Sequence, residues 1–549
     1  MVDSRVPRFC QKGKTLVSRL LLCLSLALTL LSPAAGAQTI RELAAQAANT
    51  HWRATGPYDE RGWLDRFYAP RNYTPAWTPR SAAAALALLE RAPEHGLDPH
   101  EYGTTELARL LHAGSAEAAR LDVALSAAML HFLADLRVGR VRSEYHTRQP
   151  DPRLRQFDPV ERLRAALASN TLDAALHAAQ PPIQLYERVR KALAHYRELA
   201  RQPLPALPRP PGAKLTPGEA YAGARALHER LVLLGDLAPG APYSEGIYDE
   251  RLAEGLRRFQ ARHGLQDDGI IGSATLAALD VPLARRVRQL ELSLERLRWL
   301  PDFPTGPLVA VNLPSYRLWA FGADRNATPL EMRVVVGTAV KTPTPLFIGQ
   351  LRYVEFNPYW NVPRSITLKE ILPKIAHDPG YLERNDMEIV GAPAGTDAME
   401  ALRAGKARLR QRPGPKNALG AVKFALPNPM DIYLHSTPAR ELFQRSRRDL
   451  SHGCIRVENP AALAQFVLAA DPRWDADSVQ EALLPGPMRR VDLKAPIPVV
   501  IFYATAVVDL EGGVRFAPDI YNRDPGLEQA LAPHAGAQSG RLNGTARAR

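Results

Sequence analysis

The spacing of apolar residues changes along this chain, and the change separates a helical half from a half rich in short strands. Between residues 39 and 201 the apolar residues recur every three or four positions, most clearly at Leu125, Met129, Phe132 and Leu136. That period places one apolar stripe on a helix face. After about residue 301 the apolar residues form short β-branched and aromatic runs, which favour strands. The two patterns in succession predict a multidomain α+β fold.

The helical half, 38–202, shows no pattern of chemically reactive residues and is predicted to be a scaffold domain. His131 lies within its clearest helix, where we expect a packed or surface histidine and not a ligand. A run of prolines then predicts a domain boundary, because proline cannot continue a helix and favours an extended backbone. These prolines are Pro203, Pro205, Pro208, Pro210 and Pro211.

A compact three-helix module is predicted over 216–280. A helix that carries Phe259 and Gln260 precedes the Asp-Gly turn at 268–272, and Thr275 follows in the next helix. Such a turn and the glycine before a helix are typical of a small helical bundle. The whole segment resembles the peptidoglycan-binding module of cell-wall enzymes. Phe259 is expected to hold the bundle together, so wall binding is assigned to the module and not to that side chain.

The strand-rich part, 303–528, is predicted to be a mostly β domain that a connecting helix over 283–301 joins to the module. Its candidate strands are 308–313, 317–321, 332–337, 351–356, 422–425, 431–434 and 499–508. The segment of about 364–415 is helical and basic in texture and is predicted to be an insertion that caps the sheet. Residues 529–549 are small and polar, and they are predicted to be a disordered tail.

The first 37 residues are predicted to be an export signal. Basic residues precede the apolar run 20–31, and a small-residue cleavage site ends at Ala37. That run is short for a bilayer-spanning helix, which needs roughly 20 apolar residues. An uncleaved signal anchor and lipid attachment at Cys23 are the alternatives. The expectation is a periplasmic, wall-associated protein without stable membrane insertion after cleavage.

The positive net charge of the chain favours some classes of partner over others. The formal net charge is +13, which falls to about +9 when the five basic residues and Asp3 of the signal are removed. A basic surface favours acidic partners. For an exported protein a polyanionic envelope is a more natural partner than nucleic acid, which is not expected. Other wall-synthesis enzymes are candidate protein partners.

Removal of the signal leaves one cysteine, Cys454, which has no partner for a disulfide within the chain. A reactive thiol is therefore predicted, and a buried cysteine that acts as a small hydrophobic residue is the alternative. A cysteine nucleophile needs a base, oxyanion donors and access for the substrate. Gly453 removes a side chain beside the thiol, and the backbone N–H groups of Gly453 and Cys454 can face an oxyanion. His435 follows a predicted strand, is separated by fifteen residues from Ser451, and is the candidate base.

His435 and the tetrapeptide Ser451-His452-Gly453-Cys454 together resemble the signature of the L,D-transpeptidases. The flanking segments 357–363 and 413–420 look like the large Gram-negative members, which combine a scaffold domain, a wall-binding module and a capped catalytic domain. The resemblance implies that Cys454 is the nucleophile and His435 the general base. It also implies that the Gly453 backbone lies in the oxyanion hole and that the Ser436 carbonyl orients His435. Ser451 and His452 are expected to complete the hydrogen bonds of the site.

The reaction that the resemblance implies is a two-step acyl transfer without a cofactor or metal. Cys454 would attack the carbonyl of meso-diaminopimelate in a stem peptide and release D-alanine, and the thioester would pass to another stem as a 3→3 crosslink. A paired histidine is expected to lower the pKa of such a thiol. Arg456 stands where many family members have asparagine and is a candidate substrate contact. Tyr359 and Trp360 are candidates for the wall of the cleft or, equally, for the core.

Two other functions are also compatible with these residues. One is a wall carboxypeptidase or endopeptidase that uses water as the acceptor, and the other is a wall-binding protein with an inactive catalytic fold. The intact pair of His435 and Cys454 argues against the second.

Overall fold

The apolar stripe predicted in the helical half forms the core of the first structural unit. The computed structural model describes residues 33–48, 58–145, 151, 153–324 and 326–532, and the chain divides into one unit of 1–181 with 531–549 and another of 182–530. Leu125, Phe132 and Leu136 on the central helix α5 are fully buried. The helices of this unit are α1 (Pro33–Ala48), α2 (Trp63–Tyr68), α3 (Pro79–Glu90), α4 (Thr104–His112), α5 (Ala118–Val138), α6 (Arg153–Phe157), α7 (Pro159–Ser169) and α8 (Leu172–Ala179).

His131 is a packed residue of α5, as predicted. Its side chain is buried, and its Nδ1 lies 2.7 Å from the Ala127 carbonyl oxygen, one helical turn earlier. Residues 1–32 of the predicted export signal lie outside the described residues, and α1 begins within the remainder of that segment. Within the described residues, no helix has both the length and the apolar character needed to cross a bilayer.

The second unit begins with a helix that the sequence analysis had placed in the scaffold. Helix α9 packs along α13, with Arg197 paired to Glu291 at 2.7 Å and Arg298 donating to the Tyr186 hydroxyl at 3.1 Å. The prolines mark a linker, but the boundary between the compact units falls before α9 because α13 buries one face of this helix. The helices here are α9 (Gln184–Leu199), α10 (Ala224–Leu233), α11 (Glu250–Arg262), α12 (Ser273–Leu279) and α13 (Leu283–Arg298).

The Gln260 side chain links helix α11 to the Asp-Gly turn that follows it. Its side-chain amide donates to the Ile270 carbonyl at 3.0 Å and to the Thr275 hydroxyl at 3.1 Å, and its carbonyl accepts from the Gly269 N–H at 2.8 Å. One buried side chain thus satisfies the backbone of the turn and ties it to α12. Phe259 is buried in the centre of the bundle, as expected.

The strand-rich part forms a sheet that closes on itself. In the described residues nine strands follow the order β10-β3-β11-β9-β8-β4-β12-β1-β2, and β2 also pairs with β3, so the sheet becomes a barrel-like ring. Inward-facing side chains such as Val334, Phe356, Phe424 and Leu434 fill its core. The main strands are β1 (Leu308–Asn312), β2 (Arg317–Phe321), β3 (Leu330–Gly337), β4 (Phe347–Phe356), β8 (Val422–Ala425), β9 (Leu434–His435), β10 (Asp449–Ser451), β11 (Ile455–Val457) and β12 (Arg489–Phe502).

The insertion between β4 and β8 is helical, as predicted, but it also contains a small sheet that the sequence analysis did not predict. Strand β7 pairs with both β5 and β6 in antiparallel fashion, which anchors the insertion to the segment after β4. A π-helical turn, Thr367–Ile371, interrupts its first helix. The elements are β5 (Trp360–Asn361), α14 (Arg364–Ile366), α15 (Leu372–His377), α16 (Tyr381–Arg384), β6 (Met387–Val390), α17 (Ala398–Ala404) and β7 (Arg408–Gln411).

The remaining elements follow β11 in the chain. Helix α20 extends to Leu531, so the first residues of the predicted tail are helical, and residues 533–549 lie outside the described residues. These elements are α18 (Pro460–Leu468), α19 (Ala476–Leu483), β13 (Ala506–Val508), β14 (Val514–Phe516) and α20 (Asp524–Leu531).

Candidate active site

Cys454 lies in the tight turn between β10 and β11. Ser451 braces this turn, since its hydroxyl donates to the Cys454 carbonyl at 2.6 Å and accepts from the Gly453 N–H at 3.1 Å. Gly453 has φ of 116°, which an L side chain rarely adopts. The Gly453 N–H, which the sequence analysis assigned to the oxyanion hole, therefore already has an acceptor inside the turn.

The end of β3 and the loop that follows it lie close to the backbone of the cysteine turn. A Cβ placed on Gly337 would lie 2.0 Å from the Thr342 carbonyl oxygen and 3.0 Å from the Gly453 Cα. Only glycine fits such an approach without displacement of the backbone. The position of the cysteine is therefore fixed by the barrel and by the loop that follows β3.

His435 stands at the end of β9, and its ring is held by the backbone. Its Nδ1 lies 2.6 Å from the Ser436 carbonyl oxygen, which can only accept, so Nδ1 carries the proton and Nε2 is the unprotonated nitrogen. Burial, with a smaller contribution from the Arg456 cation, lowers the pKa of His435 to about 3. The imidazole is therefore neutral at pH 7 and is in the form that can accept a proton.

Parallel pairing of β9 with β11 brings His435 and Cys454 to the same face of the sheet. Arg456 pairs with His435 in register, and Cys454 precedes Arg456 by two positions. The Cys454 thiol donates to the Asp431 carbonyl oxygen at 3.4 Å, and in the described residues it makes no hydrogen bond with His435. Transfer of the proton to His435 thus requires the S–H group to turn away from the Asp431 carbonyl.

The expected lowering of the thiol pKa is wrong for this structure. Burial raises the pKa of the Cys454 thiol above its ordinary value, and hydrogen bonds from Tyr433 offset this only in part. The reason is that a neutral His435 supplies no positive charge to stabilise a thiolate, whereas the surrounding protein removes water from it.

Tyr433 is a residue of the site that the sequence analysis missed. Its hydroxyl approaches both the Cys454 thiol and the Trp360 side chain, and its ring meets the His435 ring edge to face at 5.6 Å. Lys423 lies 5.0 Å from the centre of the Tyr433 ring. Two-residue alternation along the strand end was the available signal, because it places Tyr433 on the same face as His435.

The predicted substrate contacts occupy different positions around the thiol. Arg456 is half-buried, burial lowers the pKa of its guanidinium, and its Nε has no hydrogen-bond partner among the described residues. Trp360 lies beside Tyr433, whereas Tyr359 packs under the Arg410 guanidinium of the insertion at 4.1 Å. The structure thus brings Trp360 to the site and places Tyr359 at the base of the cap.

His452 contacts the insertion. Its Nε2 lies 2.8 Å from the Glu370 carboxylate in the π-helical turn, and both side chains are partly exposed. The cap is thus connected directly to the residue two positions before the nucleophile.

Comparison with known families divides the chain into three matched segments. Residues 62–193 match a family described as "Scaffold domain", 222–279 match "Putative peptidoglycan binding domain", and 306–492 match "L,D-transpeptidase catalytic domain". Residues 306–492, which include both Cys454 and His435, are therefore similar to L,D-transpeptidase catalytic domains.

One curated protein and one solved structure can be compared with this chain individually. The chain is 35% identical over 243 residues to a protein of Haemophilus influenzae named "Putative L,D-transpeptidase", a match that covers 43% of this chain and 48% of that protein. It thus spans about half the length of this curated relative. A crystal structure of the L,D-transpeptidase of Xylanimonas cellulosilytica is 16% identical, covers 54% of this chain and 100% of its own, and has a TM-score of 0.18, which is too low to inform the fold.

Proposed function

We propose that this protein is a periplasmic peptidoglycan L,D-transpeptidase that forms 3→3 crosslinks between meso-diaminopimelate residues through a Cys454 thioester. The matched catalytic and peptidoglycan-binding domains support wall peptides as the substrate. One observation carries the proposal: a neutral imidazole, fixed by the Ser436 carbonyl with Nε2 unprotonated, stands on the same face as Cys454.

The first half-reaction is acylation of the enzyme. The Cys454 sulfur attacks the carbonyl carbon of the third residue of a tetrapeptide stem while its proton moves to His435 Nε2. The carbonyl electron pair shifts to the oxygen, and nearby N–H and hydroxyl donors stabilise that charge. The tetrahedral intermediate then expels the D-alanine amine, which takes the proton from His435 and leaves a thioester.

The second half-reaction regenerates the thiol. The side-chain amine of diaminopimelate in another stem attacks the thioester carbonyl and gives a proton to His435. The carbon–sulfur bond breaks, the proton passes to the sulfur, and the new amide is the crosslink. Water competes with this amine, and the cap over Trp360 and Tyr433 would limit its access.

The test is the muropeptide composition of walls from cells that produce the protein or its Cys454→Ala variant. A crosslinking enzyme gives 3→3 dimers only with the active protein. Shortened monomers without 3→3 dimers would instead identify a hydrolase, and identical walls would leave only wall binding.

A further inference from the structure

The loop after β3 holds the catalytic turn through a buried threonine. Thr344 is fully buried, and its hydroxyl donates to the Gly453 carbonyl oxygen at 2.7 Å while it accepts from the Gly337 N–H at 2.9 Å. Its own backbone N–H donates to the Tyr521 hydroxyl at 3.2 Å, and that hydroxyl donates to the Gly337 carbonyl at 2.7 Å. The threonine hydroxyl therefore both donates and accepts a hydrogen bond, and the bond that it donates goes to the residue next to the nucleophile.

The bond to Gly453 fixes the direction of one particular N–H group. A trans peptide is planar, so its carbonyl and its N–H point in opposite directions. Thr344 holds the Gly453 carbonyl, and the Cys454 N–H of the same peptide must then point away from Thr344. Among the described residues this N–H has no acceptor, whereas the Gly453 N–H donates to Ser451.

We propose that Thr344 is a positioning residue for acyl transfer, which holds the Gly453–Cys454 peptide so that the Cys454 N–H remains free to bind the oxyanion. This inference rests on the proposed function and adds a residue outside the Ser-His-Gly-Cys motif to its machinery. The side chain suits the task because a β-branched residue has few rotamers, and Pro343 and Pro345 restrict the backbone on either side.

The role is specific to reactions that pass through an oxyanion. When the sulfur–carbon bond forms on a carbonyl, the carbonyl π electrons move to oxygen, and a preorganised N–H lowers the energy of that charge. Alkylation of the same sulfur by iodoacetamide displaces iodide at a saturated carbon and forms no oxyanion. A residue that positions an oxyanion donor should therefore affect the first reaction and spare the second.

The experiment compares the two reactions in full-length Thr344→Val, Thr344→Ser and wild-type protein. The resemblance to L,D-transpeptidases implies that carbapenems, a class of β-lactams, acylate Cys454. Acylation by a carbapenem and alkylation by iodoacetamide are each followed by intact mass against time. Loss of an oxyanion donor costs about 100- to 1000-fold, so a displaced donor in Thr344→Val should slow acylation by roughly 10-fold or more. Alkylation should stay within about twofold of wild type, and Thr344→Ser should restore most of the acylation rate.

Thr342 supplies the matched control. Its hydroxyl donates to the Ser451 carbonyl at 3.1 Å, but the Thr338 N–H donates to the same oxygen at 3.0 Å. Thr342→Val removes the same kind of hydroxyl from the same loop while that carbonyl keeps a donor. Both rates should stay close to wild type in this variant.

Two results would overturn the role of Thr344: an unchanged acylation rate in Thr344→Val, or equal slowing of acylation and alkylation, which indicates general disruption of the turn. If Thr344→Val does not fold, Tyr521→Phe takes its place, since it removes the hydroxyl that links the Thr344 N–H to the Gly337 carbonyl. It should slow acylation selectively, and an unchanged rate would contradict the proposal. Failure of wild-type protein to acylate at Cys454 would instead contradict the proposed function.

Discussion

Burial keeps both partners of the proposed proton transfer neutral at pH 7. It lowers the pKa of His435 to about 3 and raises the pKa of the Cys454 thiol above its ordinary value. The resting site therefore does not contain a thiolate–imidazolium pair. The proton has to move to His435 as the sulfur attacks, which makes this histidine a general base and not a source of positive charge.

The first prediction concerns the pH dependence of thiol reactivity. The thiolate is the nucleophile, and its fraction rises only as pH approaches the raised pKa of Cys454. Alkylation by iodoacetamide should therefore be slow at pH 7 and should rise at a higher pH than in the same protein unfolded in urea, where the thiol titrates near its usual value of about 8.5. Intact mass against time at several pH values measures this. Fast alkylation that stays constant down to pH 6 would contradict it.

The second prediction assigns roles to Cys454, His435 and Ser436. A carbapenem should leave one adduct on the wild type and none on Cys454→Ala, and Cys454→Ser should be nearly inactive because a hydroxyl ionises far less readily. His435→Ala should slow acylation by about 100-fold or more. Ser436→Ala keeps the backbone carbonyl that holds His435 but removes the hydroxyl that bridges the Leu419 carbonyl and the Val422 N–H, so it should slow acylation less than His435→Ala and lower the stability of the fold. An adduct on Cys454→Ala would place the nucleophile elsewhere.

The residues found from the sequence are those whose signal is local. The four-residue motif and a histidine at a strand end were visible, and the structure places both on one face of the sheet. Thr344 and Glu370 were not visible, because they meet Gly453 and His452 across 109 and 82 residues. Such contacts depend on the closure of the barrel and on the fold of the insertion, which no local pattern encodes.

The secondary structure of the insertion also depends on contacts that no local pattern encodes. Its helices follow from local propensity, but β7 is four residues long and carries Arg408 and Arg410, a composition that favours exposed helix as readily as strand. Pairing with Trp360 and Asn361 decides between them. Among the long barrel strands, most of β3 and the second half of β4 were predicted from their runs of buried β-branched and aromatic residues. Strand β12 was predicted only from 499, because its residues 489–496 are mostly exposed and lack such a run.

The third prediction concerns the insertion as a lid. The contact between Glu370 and His452 joins the cap to the catalytic turn. An exposed pair of this kind contributes at most about 1 kcal/mol, so Glu370→Gln should raise the ratio of hydrolysis to crosslinking by about two- to fivefold. The ratio is measured as shortened stems against dimers from purified stem peptides.

Two further variants test whether this result comes from the insertion acting as a lid. Glu400→Gln makes the same change elsewhere in the cap and should have no effect. Shortening of 365–412 should raise hydrolysis further, because it removes the cover that limits water. If both the total activity and the product ratio are unchanged after shortening, the insertion is not a lid.

The second unit contains both the segment that matches the peptidoglycan-binding family and the segment that matches the catalytic domain. The module packs against the catalytic part through Phe516, whose ring stacks with His263 at 5.6 Å and lies under the Arg286 guanidinium at 4.8 Å. The sequence predicted both parts but not this interface, since Phe516 lies in a short strand without a distinctive pattern. The module is thus held against the catalytic part and not only linked to it by chain connectivity.

The final prediction separates binding from chemistry. Replacement of 216–280 by a flexible linker should weaken sedimentation with sacculi by about 100-fold, because a second binding site raises the local substrate concentration. Turnover of a soluble tetrapeptide, which does not use the module, should remain within a few fold of the full chain and also reports that the catalytic part stays folded after Phe516 loses its cover. Full-length Cys454→Ala is the opposite control, with sacculus binding intact and turnover abolished. Equal sedimentation of the deleted and full-length proteins would show that wall affinity resides outside the module.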